Sequence, residues 1–111
     1  MNNGIYIYGI INSGTRELNG VGLNVDAPVY LIPYQNVAAV VSDEAIVDLA
    51  HLPKDLVARR LVDHLRVIEG VMSLKHTIIP MKMGTFAGNP SEVREILARG
   101  YKTVAEVFHT V

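Results

Sequence analysis

A proline set inside a run of strand-forming residues restricts the possible folds more than any other feature of this sequence. It occurs at Pro80, within Ile78–Phe86 (IIPMKMGTF). Proline has no N–H for a ladder, so a strand containing it lies at a sheet edge, starts there, or carries a bulge. Ile78 and Ile79 are a β-branched pair suited to a buried sheet. Met81 and Met83 alternate with Lys82 at the period of a strand, and Gly84 then frees the backbone for a sharp exit. The stretch predicts a core strand that ends abruptly and delivers the chain into a loop. Its composition is that of architecture rather than chemistry.

Two further strand regions precede it. Ile5, Ile7, Gly9 and Ile11 alternate with Tyr6, Tyr8 and Ile10, giving a strand that is hydrophobic on both faces. The isoleucine face is expected to meet the core, and the Tyr6–Tyr8 face either covers the opposite side or forms a contact surface for a partner. Pro28–Tyr34 and Val37–Ser42 predict a β-hairpin joined by Gln35 and Asn36, with asparagine tolerating the left-handed conformation a tight connection needs. VAAVV is apolar on both faces and small at Ala38 and Ala39, so a helix is expected to pack closely over it. Between these strands, Asn12 to Asp26 is polar and glycine-rich and is expected to be the most mobile part of the chain. Gly20 and Gly22 are followed by neither a third glycine nor a helix signal, so a dinucleotide fingerprint fails on context.

Helix signals fill the rest. Ser42 is placed to cap a short helix through about Ala50, with Asp43 and Glu44 in its first turn. Pro53 restarts a helix running to about Lys75, on which Val57, Leu61, Leu65, Ile68 and Met72 form one apolar stripe. Asn89-Pro90-Ser91-Glu92 opens another helix through a capping box, with Val93, Ile96 and Leu97 on its buried side and Gly100 as its stop. Thr103 to Glu106 then starts a short final helix carrying Val104, Val107 and Phe108.

With 111 residues, half of them hydrophobic and 19% charged, the chain is predicted to form one domain (1–111) with a real core rather than a disordered segment. A net charge of −1 without a basic block argues against nucleic acid and against an anionic membrane surface. The absence of cysteine excludes disulfides, thiol catalysis and thiolate metal sites, and no apolar stretch is long enough to span a bilayer. A cytoplasmic setting is the expectation.

No catalytic constellation emerges. His51, His64, His76 and His109 have neither a second histidine nor a carboxylate at zinc-motif spacing, so no metal and no cofactor is expected. His64 lies at the margin of the helical stripe, beside Val57, Ile68 and Val71, and is read as a satisfied packing residue. Asp43, Glu44 and Asp48 are accounted for by a helix dipole. There is no Gly-x-Ser-x-Gly elbow, and Gly84–Gly88 lacks the lysine and following helix of a phosphate loop.

The ordered set of segments GIYIYGI, VAAVVSD, RLVDHLRVIEGV and IIPMKMGTF resembles the N-terminal part of the GvpF/GvpL gas vesicle protein family, over essentially the whole chain. Pro80, Lys82, Gly84 and Thr85 match the family's Pro-hydrophobic-basic-aromatic-Gly-Thr segment. Met83 stands where phenylalanine is usual, and Lys82 where arginine is common. The resemblance implies a non-enzymatic accessory protein of gas vesicle formation. Its partners would be the small hydrophobic shell protein, contacted during assembly, and other gas vesicle accessory proteins. Members of that family are longer, so the chain is expected to be either one domain of such a protein or a free-standing relative; as a single domain it would leave the surface near Phe108 free to form a homodimer.

The expected fold is α+β: a mostly antiparallel sheet of about four strands in a ferredoxin-like arrangement, with helices packed on one face. The long helix should form a crossover between the parallel strands Val37–Ser42 and Ile78–Phe86. Tyr6, Tyr8, Lys82 and Phe108 are the candidate partner-binding residues. A ferredoxin-like domain that binds a small regulatory ligand is the alternative, resting on fold analogy. A polar pocket at the strand ends would favour the ligand, and an exposed apolar patch would favour assembly.

Overall fold

The computed structural model describes residues 3–12, 28–74 and 76–110. The order of elements is β1 (Asn3–Asn12), β2 (Val29–Tyr34), β3 (Val37–Ala45), a 3-10 turn at Leu49–His51, α1 (Lys54–Ser73), β4 (Ile78–Pro80), β5 (Phe86–Ala87) and α2 (Pro90–Thr110). The sheet runs β2-β3-β1-β4, with β5 also paired to β1, and every pairing is antiparallel. The fold is α+β, as its sequence predicts. β3 and β4 flank β1 and are parallel to each other, so α1 forms the expected crossover of a split βαβ unit. Strand order and directions are those a ferredoxin-like sheet requires. The connection from β1 to β2, including nearly all of the glycine-rich segment expected to be mobile, lies outside the described residues.

The placement of the helices differs from expectation, because each covers a different face. Ile5, Ile7, Ile10, Val37, Ala39 and Val41 face Val93 and Leu97 of α2. Tyr6, Tyr8, Ile11, Ala38 and Val40 face Val67 and Val71 of α1. Both faces of β1 and β3 are therefore apolar because both are covered, and Ala38 and Ala39 each lie beneath a helix. The register of β1 shifts between Ile7 and Gly9. That bulge resets the alternation, so Ile10 joins Ile5 and Ile7 while Ile11 joins the tyrosines, contrary to a strict period of 2.

The β2–β3 hairpin turns through Gln35 and Asn36 as expected, but the left-handed residue is Gln35, with φ of 51°. Positive φ at the first central position alone follows the type II′ pattern. Pro33 is tolerated because β2 is an edge strand. The helix expected from Ser42 does not form. Ser42 pairs with Tyr6 on one side and Val29 on the other, and these ladders carry β3 on to Ala45. Ile78–Phe86 is also not one strand: β4 and β5 are short edge pieces on β1, separated by a turn at Met81–Thr85. The turn bends through Gly84 (φ 88°) and is pinned at both ends, Met81 N–H to the Tyr8 carbonyl and Ile7 N–H to the Thr85 carbonyl, each 2.9 Å.

α2 is a single helix that passes through Gly100 rather than stopping there. Val93, Leu97, Tyr101, Val104 and Phe108 recur at 4, 4, 3 and 4 residues and pack on one core, which outweighs the cost of about 1 kcal/mol for an interior glycine. Its start follows the capping-box prediction. The Glu92 N–H donates to Asn89 Oδ1 at 2.9 Å, although the Glu92 carboxylate reaches back to the N–H of Gly88 rather than that of Asn89.

Candidate functional site

α1 has two apolar faces, and the sheet takes the less obvious one. His64, Val67 and Val71 are buried, with Val57 and Arg60 half-buried on the same side. Leu61, Leu65 and Met72 of the predicted stripe are 43%, 47% and 57% exposed. At 3.6 residues per turn the buried face is rotated by about 80° from the predicted one. The reason is a polar seam on the underside, which hydropathy alone does not register.

That seam begins at Tyr6 and Tyr8, side by side on β1 with ring centroids 4.7 Å apart. The Tyr6 hydroxyl lies 2.7 Å from His64 Nδ1 and accepts from the Gly84 N–H at 3.2 Å. His64 also hydrogen-bonds the main chain at Met81. The Met81 N–H is committed to Tyr8, so the Met81 carbonyl is the acceptor and His64 Nε2–H the donor. Burial lowers the ring's pKa and so favours its neutral form, in which Nδ1 accepts from Tyr6. Next along the seam, the Tyr8 hydroxyl is 2.9 Å from Ser42 Oγ, which donates to Glu44 Oε2 at 3.1 Å. Arg60 completes it, its guanidinium donating to Glu44 Oε1 at 2.7 Å. Among the described residues no buried side-chain polar atom lacks a partner.

Burial governs the charge states in the seam. It pushes the Tyr8 hydroxyl up to about 12 against the opposing Ser42 bond, with Glu44, Tyr6 and Asp63 adding to the rise. It raises Tyr6 as well, opposed by the Gly84 N–H, and lowers His64, opposed by the Met81 carbonyl. All three are neutral near pH 7. A neutral histidine with both nitrogens occupied, between two protonated tyrosines, is equipped to hold elements together rather than to transfer protons.

The structure separates the four residues singled out in the sequence. Tyr6 and Tyr8 are 2% and 3% exposed beneath α1, so as the fold stands they present no surface. Lys82 is exposed on the Met81–Thr85 turn, where its carbonyl accepts from the Thr85 hydroxyl at 2.5 Å. Phe108 packs inward with α2 against the opposite face. His64 lies in the middle of the buried face rather than at its margin. Asp43, Glu44 and Asp48 serve no helix dipole: Asp43 accepts from Tyr30, Glu44 from Arg60 and Ser42, and Asp48 caps the 3-10 turn while holding His51 at 2.7 Å. Ser42, Glu44 and Arg60 were missed as a unit. The signal available for them was the 3,4,3,4 spacing of Val57, Arg60, His64, Val67 and Val71, visible only if polar residues are admitted to a buried face.

A hollow of about 640 Å³ opens at the strand ends, between Gly4, Tyr30, Asp43, Glu44 and Asn89. Of the polar side chains that line it, Tyr30 and Asp43 bond each other, Glu44 bonds Arg60 and Asn89 holds the α2 start. Among the described residues no three His, Asp or Glu side chains are grouped to hold a metal ion, and no helix is long and apolar enough to cross a membrane.

Comparison with known proteins returns one family and no individual relative. No curated protein matches the chain, and no solved structure does. The family model described as gas vesicle synthesis protein GvpL/GvpF matches residues 4–111, which is essentially all of the fold described above. The chain belongs to the GvpL/GvpF family of gas vesicle synthesis proteins.

Proposed function

We propose that the chain serves gas vesicle synthesis without chemistry of its own, as a cytoplasmic accessory protein that contacts the small hydrophobic shell protein during assembly. Residues 1–111 act as one α+β unit, with the shell protein and other accessory proteins as partners. The observation that carries this reading is the outer face of α1, where Leu61, Leu65 and Met72 are exposed beside half-buried Ile68. A row of this kind on a helix whose other face already covers the sheet offers apolar area to a hydrophobic partner. The alternative of a small regulatory ligand draws on the hollow at the strand ends, but both of its carboxylates, Asp43 and Glu44, are engaged within the protein, which favours assembly over ligand.

The test is co-purification of the shell protein with wild type and with Leu61→Ser/Leu65→Ser. These positions are half-exposed, so the urea midpoint should move little while the retained shell protein falls at least about tenfold, the loss of about 1.4 kcal/mol of contact. Wild type that retains no shell protein, under conditions where a longer family member does, refutes the partner. Equal retention by the double variant refutes the stripe. Light scattering on the chain alone detects the competing occupant, a second copy.

A further inference from the structure

Independently of the partner, the bonding around His64 has a conformational consequence. The Met81–Thr85 turn departs from the sheet where β1 itself carries the bulge at Tyr8, so no ladder holds its middle. Besides the main-chain bonds at its two ends, the packing of Met81 on the α2-side core and the contact of Leu49 near Gly84, its polar ties to the rest of the fold are the Met81 carbonyl on His64 and the Gly84 N–H on the Tyr6 hydroxyl. Both ties run through the pair Tyr6–His64, joined at 2.7 Å. We infer that His64 is a proton-operated latch: its neutral ring fastens the Met81–Thr85 turn to β1, and protonation releases the turn together with its exposed Lys82.

The argument is one of hydrogen-bond capacity. Neutral His64 accepts at Nδ1 and donates at Nε2, so Tyr6 can give its proton to the ring while receiving that of Gly84. A protonated ring donates at both nitrogens. Nδ1–H would then compete with the Gly84 N–H for the Tyr6 oxygen, and the Tyr6 hydroxyl proton would lose its acceptor in a place 2% exposed. A cation would also be left under a helix. Its surroundings offer little compensation: Tyr6 and Tyr8 face it from β1, the Met81 carbonyl and Gly84 N–H from the turn, and Arg60 and Asp63 from its own helix. Glu44 on β3 is already taken by Arg60 at 2.7 Å. Opening the turn admits water to the ring and relieves both problems. The turn is also the part that yields at least cost, since the helix contacts Val67 and Val71 lie deeper.

The test uses the intact chain, following amide exchange by NMR between pH 7.5 and 5 after correction for intrinsic rates, alongside the ring-nitrogen shifts of His64. Below the ordinary histidine value of 6.5, the Gly84 amide should lose protection about tenfold per pH unit, while Val40 in the sheet centre keeps its own. The loss should begin near 6.5, the value of the open form, and level off at the lower pH where the His64 ring of the closed form titrates. His64→Gln retains one donor and one acceptor but cannot take the proton, so its Gly84 profile should be flat. His51→Gln and His109→Gln should leave the wild-type profile in place. Tyr6→Phe removes the acceptor and should leave Gly84 poorly protected at every pH. Gly84 protection that ignores pH in the wild type overturns the latch, as does a pH profile that survives His64→Gln. If that variant does not fold, the wild type still decides the question: a loss that levels off where the His64 ring shifts titrate supports the latch, and one that runs on regardless of them overturns it.

Discussion

Ser42 and Tyr8 provide a test of whether the seam under α1 acts as a connected unit. Ser42 is fully buried, Tyr8 is 3% exposed, and their oxygens lie 2.9 Å apart. Replacing Ser42 with alanine leaves the Tyr8 hydroxyl buried without a partner, a penalty of about 1–3 kcal/mol. It also removes a donor from Glu44, but that carboxylate is partly exposed and keeps Arg60, so the added cost is below about 1 kcal/mol. Tyr8→Phe is milder, because Ser42 Oγ retains Glu44 as a partner, and about 1 kcal/mol is expected. In the double variant the orphaned hydroxyl no longer exists. Its cost should therefore fall short of the sum of the single costs by about 1–2 kcal/mol. Urea melts of the four proteins at pH 7, with unchanged m-values, supply the cycle. A sum that is additive within about 0.5 kcal/mol would refute the reasoning, because contacts outside the pair would then account for both losses. A Ser42 that merely capped a helix would give a loss near 1 kcal/mol with no coupling to Tyr8.

Two further outcomes follow from particular positions. Gly100→Ala should stabilise the protein by about 0.5–1 kcal/mol in the same melts, since an added Cβ meets nothing within 4 Å and the position lies inside a helix. Tyr8 ionises near 10 when unfolded but near 12 when folded, so its contribution is complete below pH 10 and is lost as pH rises from there towards 12. Tyrosinate absorbance should show late-titrating groups, Tyr6 and Tyr30 as well as Tyr8, that move to the ordinary range in urea, and Tyr8→Phe should reduce the late amplitude by one tyrosine without abolishing it.

The strands were legible in the sequence because their pattern is local. β1, the β2–β3 hairpin and the edge character of Pro80 are each written in a few adjacent residues, and the capping box at Asn89 is local too. What escaped depends on partners far along the chain. Ser42 to Glu44 has the composition of a helix start, yet pairing with β1 and β2 keeps it extended. Gly100 carries a stop signal, yet the stripe from Val93 to Phe108 continues across it because the sheet lies underneath. The bulge at Tyr8 moves Ile11 to the other face, and its one sequence signal is the neighbouring Gly9, a lone glycine inside a strand pattern that strict alternation passes over. The tyrosine pair could not be assigned to interior or surface, since large amphipathic rings suit either place and only the crossing of α1 decides.

The orientation of α1 is the point at which energetics and function meet. Turned by about 80°, the helix would bury Leu61, Leu65 and Met72. At about 25 cal/mol per Å², covering these half-exposed side chains is worth about 1 kcal/mol each. The observed orientation forgoes that gain, keeps Val67 and Val71 buried in its place, and sets a histidine and an arginine against the sheet beside them. It is sustained because the Tyr6 hydroxyl would lose His64 and Glu44 would lose Arg60 in the other arrangement, and a buried polar group deprived of its partner costs as much as a buried leucine gains. The seam therefore selects which face α1 presents outward, and what it presents is the row of leucines. Weakening the seam and covering the row act on the same equilibrium in opposite senses: a partner that binds the leucines stabilises the arrangement in which His64 and Arg60 lie inside. Binding of the shell protein should consequently protect the Gly84 amide, more than 20 residues from the stripe's first leucine, although the two occupy different sides of the helix.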